Sequence, residues 1–179
     1  TNAAGTAALA GVQHDPAAEA LDISRGKLGR IVVGLGPGSY SGSRVGIAVA
    51  NGLGLALDVP VAGLASIAVL SDEAEFVVTG DARRSSYYLA RILNRHLEQE
   101  PEMMGKSQWL DELALLRKKG LNIYTTEKPL AAEDGCGIEL RRPEARELAR
   151  EALAMESGES AKFADQPLQP VYLRAPYIT

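Results

Sequence analysis

The chain has 179 residues, of which 46% are hydrophobic and 23% charged, with a formal net charge of −4. It can bury a core as one domain or two small lobes, and a pI near 5.3 argues against a large nucleic-acid surface on this chain alone. The single cysteine, Cys136, rules out an internal disulfide and suits a reducing compartment.

No signal peptide is visible, and the longest apolar run, from Val45, is too short and glycine-rich for a membrane span. Thr6 to Val12 reads as a strand and Gln13 to Pro16 as a turn, where His14 and Asp15 form a polar turn pair. Ala17 to Arg30 is a weakly helical connector, shorter than a crossover between two strands of one sheet needs. Residues are therefore expected to be missing there and before Thr1.

Ile31 to Val33 is β-branched and apolar, as in a strand covered on both faces. A turn with Gly34, Gly36, Pro37, Gly38 and Gly42 follows, then a helix from about Ser43 to Leu57 with almost nothing polar in it. The turn lacks the lysine of a P-loop and the third glycine of a dinucleotide fingerprint. Gly36, Pro37, Gly38, Ser39, Gly42 and Arg44 form a candidate anion contact at the helix N-terminus. Arg44 opposes the helix dipole there and is expected to have an anionic partner.

Interior glycines each cost the helix about 1 kcal/mol, so close approach of another backbone is expected. Such a helix is either covered within its own domain or packs one face on its sheet and the other on a partner. The second is favoured, and Gly42, Gly46, Val49, Ala50, Leu53 and Gly54 are the expected partner interface.

Asp58-Val59-Pro60 ends the helix, and Val61 to Leu64 is a second buried strand. Ser66 is expected to cap a short helix, Ile67 to Asp72. Glu75 to Thr79 and Ser86 to Ile92 read as a hairpin whose turn, Gly80 to Arg84, carries two arginines. A solvated turn and an anion or partner contact both fit it.

Ser107 to Lys119 reads as an amphipathic helix with Leu110, Leu113 and Leu116 inward and Gly120 at its end. Leu121 to Thr125 is a strand and Glu127 to Gly137 a loop. Pro143 opens a helix with Ala145, Leu148, Ala149, Ala152 and Leu153 on one face. Pro170 to Arg174, PVYLR, is a short strand or extended tail. Alternating strands and helices define an α/β chain. The expected divisions are a first lobe at 1–73, a second at 74–169 and a tail at 170–179.

Catalytic groups are sparse. His14 and His96 have no metal-ligand partner at helical spacing, no nucleophile elbow is present, and Cys136 sits between glycines as a loop residue. Asp81, beside a glycine at a strand end, either holds a cation or pairs with Arg83 or Arg84.

The stretch GLGPGSYSGSRVGIAVANGLGLAL followed by DVPVAGLASI resembles the bacterial TsaB (YeaZ) family of tRNA threonylcarbamoyladenosine biosynthesis proteins. Gly36, Pro37, Gly38, Ser39, Tyr40, Gly42 and Arg44 match the family's loop, with Ser41 for its threonine and Ala65-Ser66 for its serine pair. Asp81-Ala82-Arg83-Arg84 with Tyr88 resembles the family's hairpin motif, and Pro170 to Arg174 its C-terminal motif. The resemblance implies a two-lobed actin-like (RNase H-like, ASKHA) fold.

It also implies a non-catalytic subunit that pairs with a TsaD-like enzyme and has a TsaE-like ATPase as third partner. The complex transfers threonylcarbamoyl to adenosine 37 of tRNA, which this chain meets indirectly. The apolar helix with its Gly42, Gly46, Ala50, Gly54 stripe leads one to expect self-association as a homodimer, and the lone cysteine a cytoplasmic location. Asp81, Arg83 and Arg84 resemble a degenerate phosphate turn, so no cofactor of its own is expected and ATP or ADP only at the interface with the partner. The rivals are an active actin-like ATPase or phosphotransferase and a peptidase.

Overall fold

The computed structural model describes residues 5–9, 28–128, 137–154 and 168–173. His14, Asp15, Ala17 and Cys136 lie outside the described residues, as do Arg174 and the join between the first two strands. The chain divides into two compact units, Thr1–Ser66 with Glu144–Val171, and Ile67–Pro143 with Tyr172–Thr179. In this division the break falls at Ser66, where 73/74 was expected from sequence, and the last helix groups with the first unit.

In the first unit, β1 (Gly5–Leu9), β2 (Leu28–Gly34) and β3 (Val61–Leu64) form a parallel sheet in the order β1-β2-β3. Ile31, Val32 and Val33 are all buried, as a strand covered on both faces requires. Helix α1 (Tyr40–Leu57) carries the chain from β2 to β3. It begins earlier than expected because Ser39 is its N-cap, the hydroxyl accepting the Gly42 amide at 3.2 Å. Asp58 ends it in the left-handed conformation, and the Val59 amide donates to the Gly54 carbonyl at 3.0 Å.

The inward face of α1 carries Gly46, Ile47, Ala50 and Gly54. Ile47 and Ala50 pack with Ile31 and Val33, and Leu35, Val59, Val61 and Leu168 close the cluster. A Cβ on Gly54 would overlap Val61 Cγ2 and lie 3.0 Å from the Val59 carbonyl oxygen, and one on Gly46 would meet Val33 at 3.6 Å. What approaches Gly46 and Gly54 is the helix's own domain, the Val33 and Val61 side chains of the sheet and the Val59 carbonyl of the loop that follows the helix. Gly46, Ala50 and Gly54 are thereby removed from the expected partner interface.

The last helix, α2 in this unit (Ala145–Ala154), packs against β1 and β2 with Leu148 and Ala152 buried. Arg30 Nη1 donates to the Ala152 carbonyl at 3.0 Å. Pro143 lies just ahead of this helix, and Leu153 points outward.

The second unit opens at Ile67, inside a 3-10 turn (Ser66–Val69) that stands in place of the expected helix to Asp72. Its sheet is mixed. Strands β4 (Glu75–Asp81) and β5 (Ser86–Leu93) pair antiparallel, while β8 (Ile123–Thr125) and β9 (Glu139–Leu140) run parallel to β4 on its other side. The edge beyond β5 is shared by β6 (His96–Leu97) and β7 (Glu102–Gly105). Asn94 and Arg95, both at positive φ, make the two-residue turn between β5 and β6, the geometry that a tight hairpin favours.

The remaining helix (Lys106–Lys118), α3 here, covers a core of Val77, Met104, Trp109, Leu113, Ile123 and Ile138. Trp109 and Leu113 point inward, with Leu116 packed beside them and Leu110 exposed. The expected stripe of Leu110, Leu113 and Leu116 drifts around the helix because successive steps of three fall short of a 3.6-residue turn. Trp109, four residues before Leu113, keeps the face.

Candidate functional site

In the first unit the loop after β2 is knotted to two distant segments. The Leu35 amide donates to the Leu64 carbonyl at 2.7 Å, and the Ser66 amide donates to the Gly36 carbonyl at 2.7 Å. In return, Ser66 Oγ accepts the Gly36 amide at 3.2 Å. The Val171 amide donates to the Leu35 carbonyl at 2.8 Å, and residues 170–173 of the PVYLR segment form no strand.

Gly36 has a φ of 91°, where only glycine is relaxed. A Cβ on Gly34 would overlap Ser66 Oγ. The loop, the Ala65-Ser66 pair and the tail, far apart in sequence, therefore meet at one place. Ser66 is a structural tie, a role that its sequence position gives no sign of.

Within this loop Gly36 and Pro37 are buried, Gly38, Ser39 and Arg44 are exposed, and Gly42 is half-buried. Several amides that an anion would need are already used: Gly36 by Ser66, Gly42 by the Ser39 hydroxyl, and Ser43 by the Ser39 carbonyl at 3.0 Å. On the outward face of α1, Val45 is 48% exposed, Val49 47%, Leu53 40% and Leu55 88%. Ala48, Gly52 and Ala56 lie between them, which gives a wide apolar helix surface. Nothing stands within 4 Å of a Cβ built on Gly52, so packing does not explain that glycine.

In the second unit the β4–β5 turn places Arg83, Arg84 and Ser85 at positive φ in succession, a left-handed run that ordinarily costs about 1–2 kcal/mol per non-glycine residue. The Asp81 carboxylate accepts the Arg83 amide at 2.6 Å and lies 3.9 Å from its guanidinium. The Ala82 amide donates to the Ser86 carbonyl at 2.8 Å. Asp81 thus pairs locally with Arg83. Among the described residues no group of three or more His, Cys, Asp or Glu could hold a metal ion.

Glu127, which sequence reasoning passed over, reaches this turn from beyond β8: its carboxylate oxygens accept the Asp81 amide at 3.3 and 3.2 Å. Forty-six positions separate the two residues, and no local pattern announces the contact. Burial pushes the Glu127 carboxyl above its ordinary 4.5, the Asp81 amide opposes that shift, and the Asp81 carboxylate adds to it. Burial likewise raises the buried Tyr88 phenol well above its usual range, with Glu127 contributing. A Cβ on Gly80 would run into the Tyr88 ring.

A raised carboxyl pKa means that the folded state holds the proton more tightly than the unfolded chain. Glu127 thus contributes stability that is present below pH 4.5 and is lost as pH rises through its folded value. Thermal melts of wild type and Glu127→Gln from about pH 4 to 7 should show the glutamine variant gaining on wild type as pH rises. Parallel curves would remove the linkage.

The fold is the actin-like α/β fold of the YeaZ proteins. YeaZ from Pseudomonas aeruginosa matches with a TM-score of 0.60 at 20% identity, covering 87% of this chain and 79% of that one. A second P. aeruginosa structure, an uncharacterised protein described as similar to peptidase YeaZ, gives 0.58 at 21% identity, covering 88% and 78%.

The chain belongs to the family whose sequence model is described as TsaD, tRNA N6-adenosine threonylcarbamoyltransferase, which matches residues 12–155, and within it resembles the TsaB/YeaZ proteins. Among curated relatives, the tRNA threonylcarbamoyladenosine biosynthesis protein TsaB of Bacillus subtilis is 33% identical over 101 residues, covering 51% of this chain and 44% of the relative. An uncharacterised Mycobacterium leprae protein is 42% identical over 67 residues, covering 36% and 19%. The chain spans less than half the length of these curated relatives.

Proposed function

We propose that this chain is a non-catalytic subunit in the threonylcarbamoyladenosine modification of tRNA, pairing with a TsaD-like enzyme. The observation that carries the pairing is the outward face of α1, where Val45, Val49 and Leu53 are each 40% or more exposed on an 18-residue helix. A contiguous apolar surface of this kind marks an interaction site. The family supplies the process: the B. subtilis relative bears the name of this tRNA modification, and the matching sequence model bears the name of the enzyme.

On this reading α1 serves first a homodimer and then the heterodimer with the enzyme. A TsaE-like ATPase joins as third partner, a nucleotide binds only at the interface with a partner, tRNA is met through the complex, and the assembly works in the cytoplasm. The rival readings as ATPase, phosphotransferase or peptidase draw less support. The Asp81 carboxylate and the Arg83 amide bind each other, at the place where an actin-like enzyme would offer glycine amides to phosphate.

The test is reconstitution. The purified chain should co-elute with a TsaD-like enzyme and be required for threonylcarbamoyladenosine formation, while alone it neither turns over ATP nor modifies tRNA. ATP hydrolysis that follows the chain through purification and disappears with Asp81→Asn would overturn the proposal, as would failure to co-elute.

A further inference from the structure

Strands β4, β8 and β9 are parallel, with Val77 beside Ile123, Val78 beside Tyr124, Tyr124 beside Glu139 and Thr125 beside Leu140. Their carboxyl ends therefore lie along one edge of the second unit's sheet, the end of an α/β sheet at which ligands bind. Arg83 and Arg84 leave β4 there, Lys128 follows β8, and Arg141 and Arg142 follow β9. Arg83, Arg84, Lys128 and Arg142 are exposed, the Arg83 side chain by 88%.

The nearby acids are engaged locally. Asp81 accepts the Arg83 amide, Glu127 the Asp81 amide, and Glu139 the Arg141 Nε–H at 2.9 Å. Arg141 also lies over the Tyr124 ring, 4.4 Å from its centroid. A chain with net charge −4 thus gathers basic side chains where three strands end.

We propose that this edge, with Arg83 and Arg84 foremost, makes direct contact with the phosphodiester backbone of RNA. The proposal rests on the tRNA-modification reading above and goes beyond it, because there RNA is met only through the complex. Guanidinium groups suit the task, since their planar donors match phosphate oxygens. Contacts of this kind position the RNA without reading its sequence. A small footprint fits an acidic chain: it adds a few phosphate contacts to an enzyme's own, and its signature is salt dependence.

The experiment titrates fluorescently labelled tRNA with the full chain, alone and with the TsaD-like enzyme, across a salt series. The Arg83→Ala/Arg84→Ala variant should weaken binding by about tenfold at low salt and lower the salt slope by about one to two. Circular dichroism and co-elution with the enzyme should remain as in wild type. Arg150→Ala, on a helix of the first unit and paired with Glu147, should match wild type.

Unchanged affinity and slope in the double variant would overturn the proposal, as would a wild-type chain that neither binds tRNA alone nor adds to the enzyme's affinity. Displacement of the tRNA by ATP would instead make the edge a nucleotide site. Loss of enzyme pairing with RNA binding intact would assign it to a protein partner. Failure of the wild-type chain to co-elute with the enzyme in the absence of RNA sinks the functional reading separately, and the isolated-chain titration still decides the RNA contact.

Discussion

Trp109→Ala should destabilise the second unit by about 3–5 kcal/mol, the range for removing a large buried aromatic side chain. Trp109 is fully buried among Val77, Met104, Leu113, Ile123 and Ile138. Its indole stacks on Tyr87 with ring centroids 4.2 Å apart and 14° between planes. Its Nε1–H donates to Thr79 Oγ1 at 2.8 Å, and that hydroxyl donates onward to the Tyr88 carbonyl at 2.7 Å. Against a total stability of about 5–15 kcal/mol, the loss is large.

Trp109→Phe keeps most of the volume but removes the donor to a buried hydroxyl, so it should cost about 1–3 kcal/mol. Urea unfolding followed by circular dichroism should rank wild type above Trp109→Phe and Trp109→Phe above Trp109→Ala. An alanine variant within 1 kcal/mol of wild type would mean that α3 is not held by this residue. The effect reaches the candidate RNA edge because Thr79, Tyr87 and Tyr88 belong to the two strands that carry the arginine turn.

The contrast between elements shows what the sequence could convey. Ile31 to Val33 and Val61 to Leu64 announce themselves because a parallel strand covered on both faces has to be apolar throughout. The β4–β5 hairpin is equally plain, since β4 is buried through its middle like those strands and β5 is long enough for alternation to show. By contrast, β6 and β7 have two and four residues, too few for a period, and Asn94-Arg95 makes a tight turn without glycine. Trp109 was hidden by leucines at a plausible but drifting spacing.

The loop's shape was foreseeable from its glycines, but its ties to Ser66 and Val171, like the reach of Glu127 to Asp81, are long-range contacts. The orientation of α1 was illegible for a different reason. Apart from Ser41, Ser43, Arg44 and Asn51 that helix is apolar all round, so polarity says little of inside and outside. Close approach to the sheet selects Gly46, Ala50 and Gly54 beside Ile47. Val45, Val49, Leu53 and Leu55 face outward together with Ala48, Gly52 and Ala56, so size alone does not mark the faces either.

That orientation decides which α1 substitution separates folding from pairing. Ala50 is fully buried in a cluster with Ile31, Val33 and Ile47. Arginine there would force a long charged side chain between helix and sheet, with both an overpacking and a charge-burial cost. Ala50→Arg should therefore lose more than about 4 kcal/mol, among the largest effects that single substitutions show, and leave the first unit unfolded. It is a folding mutant and says nothing about partners.

Val49, the neighbouring residue, is turned about 100° around the helix from Ala50 and is 47% exposed. Val49→Arg should change stability by no more than about 0.5 kcal/mol, as surface substitutions do, yet place a charge in the middle of the Val45, Val49, Leu53 surface. If that surface pairs with the enzyme or with a second copy of the chain, desolvating an unpaired guanidinium should abolish both assemblies. Circular dichroism melts supply the folding comparison, and sedimentation of each variant, alone and with the TsaD-like enzyme, supplies the assembly comparison. A folded Ala50→Arg chain would show that α1 is turned the other way. A Val49→Arg chain that pairs as well as wild type would move the interface off this helix.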